Sequence, residues 1–428
     1  VGLVTACGIV IANIIGTGIF TSLGFQLIDI HSGFALLMLW VIGGIVALCG
    51  ALCYGELAAT LPRSGGEYHF LSAIYHPALG FMAGFVSATV GFAAPIALAA
   101  MAFGSYAHGV FNVGNPIALS FTVVWVTALV HMSGLKAGSA FQNIWTLLKV
   151  ILIALFIACG FALAARQPIH FLPQPGDVSS ILHPAFAVAL VYVMYSYSGW
   201  NAAVYITSEI ERPDKNVPRA LLVGTLVVLV LYTVLNAVFL ISTPATEMTG
   251  KLEVALIAGK HIFGEQGGRI AAGVICLGLV SAISSMAWIG PRVTMSMGED
   301  HRLLRVLGRK NRQGVPVCAI MLQLLIVSAL LYGQSFERIL IYIQFSLLLC
   351  SLLTVIGVIV LRWTQPARPR PYRVWAYPLP PLVFAGVTLW MMIYLLRSHL
   401  TESLFGVATM FAGLVLYLLS GNQRPSAS

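Results

Sequence analysis

Apolar residues run along this chain in long blocks, separated by short polar interruptions, instead of alternating or recurring every third or fourth position. A helix of about 20 residues crosses the roughly 30 Å hydrocarbon layer of a bilayer, and a spanning helix satisfies its own backbone there. Runs of that kind fall at 2–27, 34–60, 78–108, 117–132, 140–165, 182–210, 218–243, 268–297, 315–332, 338–363, 380–397 and 403–420. They predict an all-α integral membrane protein with twelve transmembrane helices. Composition supports this: 59% of the 428 residues are hydrophobic and 9% charged, against about 25% charged in soluble domains.

With an even number of spans both termini share a face, and Lys and Arg accumulate on the cytoplasmic one. The loops after even-numbered spans, with the C-terminal tail, hold 16 of the 23 Lys and Arg residues. The opposite loops hold six, and Lys149 lies inside a span. This predicts a multi-pass protein of the plasma (bacterial inner) membrane with both termini cytoplasmic. The net charge of +9 is therefore a topology signal. The basic run 301–312 lacks aromatic stacking residues and reads as a solvated loop near anionic lipid, not as a nucleic-acid site.

The seven cysteines lie in or beside apolar runs without metal-ligand spacing, so no metal or cofactor is expected. Cys49 and Cys53 share a helix face but lack a second ligand pair. His31, His108, His131 and His183 sit at span ends or loops and read as interface residues. No secretory signal precedes the first span. The abrupt apolar start is what a chain missing a short polar N-terminal segment would show.

Two spans are interrupted at their centres. The first contains Gly16-Thr17-Gly18, and the sixth contains Ser196-Tyr197-Ser198-Gly199-Trp200-Asn201. Gly18 and Gly199 are 181 residues apart, the length of five spans with their loops. An odd offset inverts the second copy in the membrane. The domain expectation is a first five-helix repeat over 1–165, an inverted second repeat over 182–363, and two further helices over 380–420. Paired broken spans point to a secondary-transporter site near the midplane, because freed backbone groups persist only where protein, water or substrate satisfies them. The glycines of span two, Gly43, Gly44 and Gly50, read instead as close-packing positions.

At these residues the chain resembles the amino acid-polyamine-organocation (APC) superfamily of permeases. Ile14-Ile15-Gly16-Thr17-Gly18-Ile19-Phe20 is similar to its first-helix motif. Residues 54–67 (YGELAATLPRSGGE), 141–149 (FQNIWTLLK) and 195–219 (YSYSGWNAAVYITSEIERPDKNVPR) are similar to its blocks after span two, in span five and around span six. The resemblance extends over about 1–363 and is nearest to the L-amino acid transporters and their bacterial relatives. Position 198 is Ser where many relatives carry Asp or a branched apolar residue. The resemblance implies two inverted five-helix repeats plus two helices, working by alternating access.

A zwitterion needs donors for its carboxylate and acceptors for its ammonium. The N-terminus of the half-helix beginning near Ile19, with Gly16, Thr17 and Gly18, suits the carboxylate. Carbonyls near Ile14, Ile15, Tyr195 and Ser198 suit the ammonium, with Gly199, Trp200 and Asn201 completing the second break. Family resemblance puts the aromatic Tyr195 over the substrate as a lid. All fourteen acidic residues lie at or near loops, so no carboxylate is expected at the cavity and the expected substrate is a small or medium neutral L-amino acid. Glu56 and Glu209 are expected to pair with Arg63, Arg219 or Arg292.

Tyr232 and Asn236, one helical turn apart, are expected to support the break or to bond to each other. Resemblance places Lys149 between the first break and span eight, where sodium-coupled relatives hold an ion, with the carbonyl near Ile15 and the hydroxyls of Ser284 or Ser285 as partners. The expected activity is sodium-independent exchange, with a proton-coupled amino acid or polyamine symporter of the same superfamily as the alternative. A channel would need a continuous polar stripe, and an enzyme a nucleophile with its base; neither pattern is present. The expected partners are the amino acid and membrane lipid. Animal relatives couple by disulfide to a single-span glycoprotein through a cysteine after span three, but 109–116 has none, so no such partner is expected.

Overall fold

A computed structural model describes residues 1–112, 114–332 and 336–420, without the side chains of 135–143 and 336–338. Lys136, Arg338 and Arg424 of the charge count, and Phe141 to Asn143 of the fifth-span block, lie outside the described side chains. Among the described residues all regular structure is helical.

The first half comprises α1 (Leu3–Ile14), α2 (Gly18–Gln26), α3 (Gly33–Thr60), α4 (Glu67–Ile74), α5 (Pro77–Val86), α6 (Ala93–Phe111), α7 (Pro116–Met132) and α8 (Leu135–Leu163). A π-helical turn at Ser87–Gly91 joins α5 to α6. The second half comprises α9 (Asp177–Ile181), α10 (Pro184–Tyr197), a 3-10 helix at Ala202–Glu209, α11 (Pro213–Ser242), α12 (Ala245–Met248), α13 (Val254–Asp300), α14 (Val317–Leu331) and α15 (Phe336–Thr364). Helices α16 (Leu379–Ser398) and α17 (Leu400–Leu419) follow.

Nine segments among the described residues are long and apolar enough to cross a membrane, and α7 and α14 are shorter apolar helices. Several helix starts follow one rule: a polar cap precedes a proline at the first helical position, where no N–H bond is forfeited. Asn115 caps α7, and the ring nitrogens of His76 and His183 cap α5 and α10. His183, read as an interface residue, is thus a helix cap.

The helices present apolar residues outward, among them Ile151 and Leu155 of α8, Val230 of α11 and Phe411 of α17. Their polar residues turn inward: Thr225, Asn236, Ser281, Ser284 and Thr354 are all buried. This is the polarity expected of a bundle solvated by lipid. Helix α13 is longer than the predicted 268–297 run because a further helical stretch from Val254 joins it across an irregular Gly264.

At the centre, α1 and α2 lie against α10, α11 and α13. The hydrophobic core runs through all of these. Buried Glu56 ties the segment after α15 to α3, accepting two bonds from Arg362 and one from the Val374 N–H at 2.7 Å. Arg370 Nε lies 3.7 Å from the same carboxylate. The expected partners of Glu56 were Arg63, Arg219 or Arg292. Packing of α15 on α3 brings Arg362 closer instead, and the reversal after α15 adds Arg370.

Candidate functional site

Helix α1 ends at Ile14 because Ile15 leaves helical geometry, with ψ near 83°, and α2 restarts at Gly18. The first N–H groups of α2 have no partner within the helix. Helix α10 ends at Tyr197, and Gly199 follows at φ +96°, a conformation that favours glycine. The two breaks touch. A Cβ on Gly18 would meet the Ser196 Cα at 2.7 Å, and one on Gly199 would meet the Asn13 carbonyl carbon at 2.8 Å.

Side chains from neighbouring helices hold these ends. The Tyr232 hydroxyl lies 2.7 Å from the Ile14 carbonyl oxygen and 3.1 Å from that of Ser196, so one group addresses both breaks. Asn236 donates to the Tyr232 carbonyl at 2.8 Å. Lys149, 3% exposed, donates to Ile15 at 2.6 Å and Ala12 at 3.2 Å. An ammonium there complements the negative end of the α1 dipole. Ser284 instead shares a bond with buried His131 at 2.9 Å, and Ser285 donates to the Ala282 carbonyl.

Beside the breaks lies a cavity of about 70 Å³, with room for several water molecules. Asn13, Ser198, Gly199, Trp200 and Asn201 line one side. Glu67, Ser87, Tyr205, Gln344 and Ser351 add polar groups to the wall, and Phe92, Pro95, Met194, Met286, Leu347, Leu348 and Phe384 make its apolar part. Trp200 packs edge-on against Tyr54. Tyr195 is buried outside the cavity wall with its hydroxyl engaged by Thr17, and Ile14 to Gly18 do not line the cavity either.

Glu67 corrects one expectation: a carboxyl group, 1% exposed, does face the cavity. The turn at Gly65 (φ +119°) and Gly66 (φ +56°) folds the segment after α3 back into the bundle. Gly66 sits so close to the Tyr205 ring that a Cβ would fall 2.8 Å from its Cζ. Tyr54, Ser351 and Asn201 donate to Glu67 Oε1 at 2.5, 3.0 and 3.5 Å. Burial pushes its carboxyl above the ordinary range, against the opposing effect of the Tyr54 and Ser351 bonds.

Sequence reasoning missed Asn13, Glu67, Ser87, Tyr205, Gln344, Ser351 and Phe384. Two signals were available: Asn13 is an amide one turn before the first break, and Gln344 and Ser351 are seven residues apart on one helical face.

Contacts bridge the surrounding elements on both faces of the bundle. Away from the face carrying residue 1, Ser22 bonds to Ser196 at 2.9 Å, Phe25 stacks on Tyr192, and the Gly250 N–H donates to the Gly24 carbonyl. On the residue-1 face, Arg63 holds Asp300 at 2.7 Å, Tyr68 donates to Asp300, and Ser64 bonds to Ser208. Arg292 pairs with Glu209 at 2.6 Å, as expected for Glu209.

The amino acid permease family profile matches residues 1–416. The large neutral amino acids transporter small subunit 2 of Mus musculus is 28% identical over 98% of this chain and 80% of its own length. The b(0,+)-type amino acid transporter 1 of Homo sapiens is 26% identical over 98% of this chain and 87% of its own. The Asc-type amino acid transporter 1 of Mus musculus is 27% identical over 98% and 80%. The family is one of permeases rather than enzymes, and the resemblance read from the motifs holds over nearly the whole length. This chain is a multi-pass membrane protein of the amino acid permease family, within the APC superfamily.

Proposed function

We propose that this protein is a secondary transporter of small or medium neutral L-amino acids. It works by alternating access as a sodium-independent exchanger, in the plasma membrane with both termini cytoplasmic. The carrying observation is the meeting of the two helix breaks beside a cavity whose wall includes Asn13, Ser198, Asn201 and Glu67. The proposed architecture is twelve spans: the nine long apolar segments, α7 and α14, and the interrupted pair of α10 with the 3-10 helix. Two inverted repeats, 1–165 and 182–363, and the pair over 380–420 complete it.

Ser198, Asn201 and the backbone around Gly199 offer a zwitterion polar contacts, and the donor-rich start of α2 lies behind the first break. A substrate carboxylate reaches Thr17 and Gly18 only after the breaks separate. Lys149, bonded to the Ala12 and Ile15 carbonyls where the resemblance implies a cation in sodium-coupled relatives, supports sodium independence. With Glu67 bonded only by neutral groups, the polar wall is uncharged if that carboxyl is protonated, which suits a neutral substrate. A buried carboxyl also favours proton symport as the second reading. Residues 109–116 hold no cysteine, and the proposed protein acts without a disulfide-linked partner.

The test is purified protein in alanine-loaded liposomes. Labelled alanine should enter only against internal amino acid, without sodium, and be competed by neutral amino acids but not polyamines. Uptake into empty vesicles driven by an inward proton gradient would replace exchange with symport. Transport competed only by polyamines would overturn the substrate class.

A further inference from the structure

We propose that Glu67 is the proton-binding site of this cavity: it carries a proton on Oε2 while the cavity is shut and exchanges it with water when the residue-1 face opens. This deepens the transport reading and rests on it for the coupling, but not for the proton site itself.

The geometry is that of an acid. Oε1 receives the bonds from Tyr54, Ser351 and Asn201, while Oε2, equally buried, has no partner. A carboxylate spreads its charge over two accepting oxygens and needs donors at both, whereas a carboxylic acid has one accepting oxygen and one hydroxyl. Three donors on one oxygen and none on the other fit the second form. Gln344 Oε1, also buried on the cavity wall without a partner, adds a second bare acceptor.

The charge inventory agrees. Tyr54 faces Glu67 from α3, Asn201 and Tyr205 from the stretch after α10, and Cys350 and Ser351 from α15. All of these groups are neutral. Among the described side chains, the other charges of α3 and α15, buried Glu56 and partly exposed Arg362, neutralise each other. Helix α5, packed on α4, has no titratable side chain. On α4, Tyr68 is bonded to Asp300, and burial with the nearby Arg63 lowers His69 to about 4, leaving it neutral. Arg63 itself is committed to Asp300. Among the described residues no cation is paired with Glu67 to stabilise the charged form.

Opening hydrates Glu67 and returns it toward the ordinary value of about 4.3. Its pKa is thus raised in the shut state. Closure is favoured in full below the open-state pKa, and that advantage is lost as pH rises through the shut-state pKa. Between the two, apparent affinity for a substrate that requires closure falls about tenfold per pH unit. The step is one proton passing between Oε2 and cavity water, with no other bond changed.

Two measurements test this on the full chain. Infrared difference spectra across about pH 5 to pH 9 should show a protonated carboxyl C=O band that titrates in the wild type and is missing in Glu67→Gln. Alanine exchange, each protein normalised to its own maximum, should depend on pH at the residue-1 face in the wild type and in Glu67→Asp, and be flat in Glu67→Gln. Identical carboxyl bands in wild type and Glu67→Gln overturn the proposal, as does an unchanged pH profile in Glu67→Gln. Competition by lysine that needs Glu67, with no acid band, also overturns it, in favour of an ammonium site. If the wild type carries no amino acid, the transport reading falls while the infrared band still decides the proton site.

Discussion

At Gly18 an added Cβ would collide first with the Ser196 hydroxyl and, whatever that rotamer, with the Ser196 Cα at 2.7 Å, so the contact cannot be relieved by a rotamer change alone. Gly18→Val should therefore push the two breaks apart, at an overpacking cost of about 1–3 kcal/mol. The expected result is a lower thermal midpoint in detergent and loss of alanine binding; normal binding would remove this contact from the site. Lys149 sits at a second fixed point. A buried lysine in a span is costly unless partnered, and here its bonds go to the last carbonyls of α1 at Ala12 and Ile15. Lys149→Ala leaves those carbonyls bare. Exchange should fall strongly, chiefly through weaker apparent affinity on the residue-1 side, and added sodium should not restore it. Wild-type affinities on both sides would mean that the lysine only packs.

Among the elements, α11 supports both broken helices through one hydroxyl. Tyr232→Phe removes the bonds to Ile14 and Ser196 while keeping the ring that packs on Trp40 and Tyr197. A neutral bond of this kind contributes about 1 kcal/mol, so substrate affinity should drop roughly fivefold with little change in expression. An unchanged affinity from equilibrium binding would show that the breaks keep their geometry unaided. The first break was readable in sequence because Gly16-Thr17-Gly18 interrupts an apolar run, and the second because Ser and Gly cluster in another. The glutamate on the cavity wall was not. Glu67 follows Arg63, Ser64 and two glycines, a composition identical to that of a solvated loop. Only the positive-φ turn at Gly65 and Gly66 sends it inward, and a turn's direction depends on what it packs against, here Tyr205. Likewise, hydropathy set α1, α2 and α3 nearly as predicted, but not the join at Gly264 or the π-helical turn before α6. Those depend on neighbours, not on helix period.

Over the whole molecule, the two closures of the cavity differ in chemistry, and that difference predicts which opens more easily. The far closure is direct packing, with Gly18 on Ser196, Phe25 on Tyr192 and the Gly24 carbonyl bonded to the Gly250 N–H. The residue-1 closure is polar: Arg63, Tyr68 and Asp300 join the segment after α3 to the end of α13, and Ser64 joins it to Ser208. Arg63 is about half exposed, and pairs of that kind contribute about 0–1 kcal/mol each. Asp300→Asn should thus shift the shut-to-open balance on this face by about two- to fivefold without unfolding the bundle. A reporter at Leu348→Cys on the cavity wall, in a variant lacking the seven native cysteines, can read that shift. Labelling by a membrane-impermeant maleimide applied to the residue-1 face should speed up by that factor when Asp300→Asn is added, while labelling from the other face stays unchanged. Saturating alanine should slow it in both backgrounds by occupying the cavity. Equal rates with and without Asp300→Asn would mean that Arg63 and Asp300 decorate the surface and that the closure on this face is made by the packed segment around Gly66 and Tyr205.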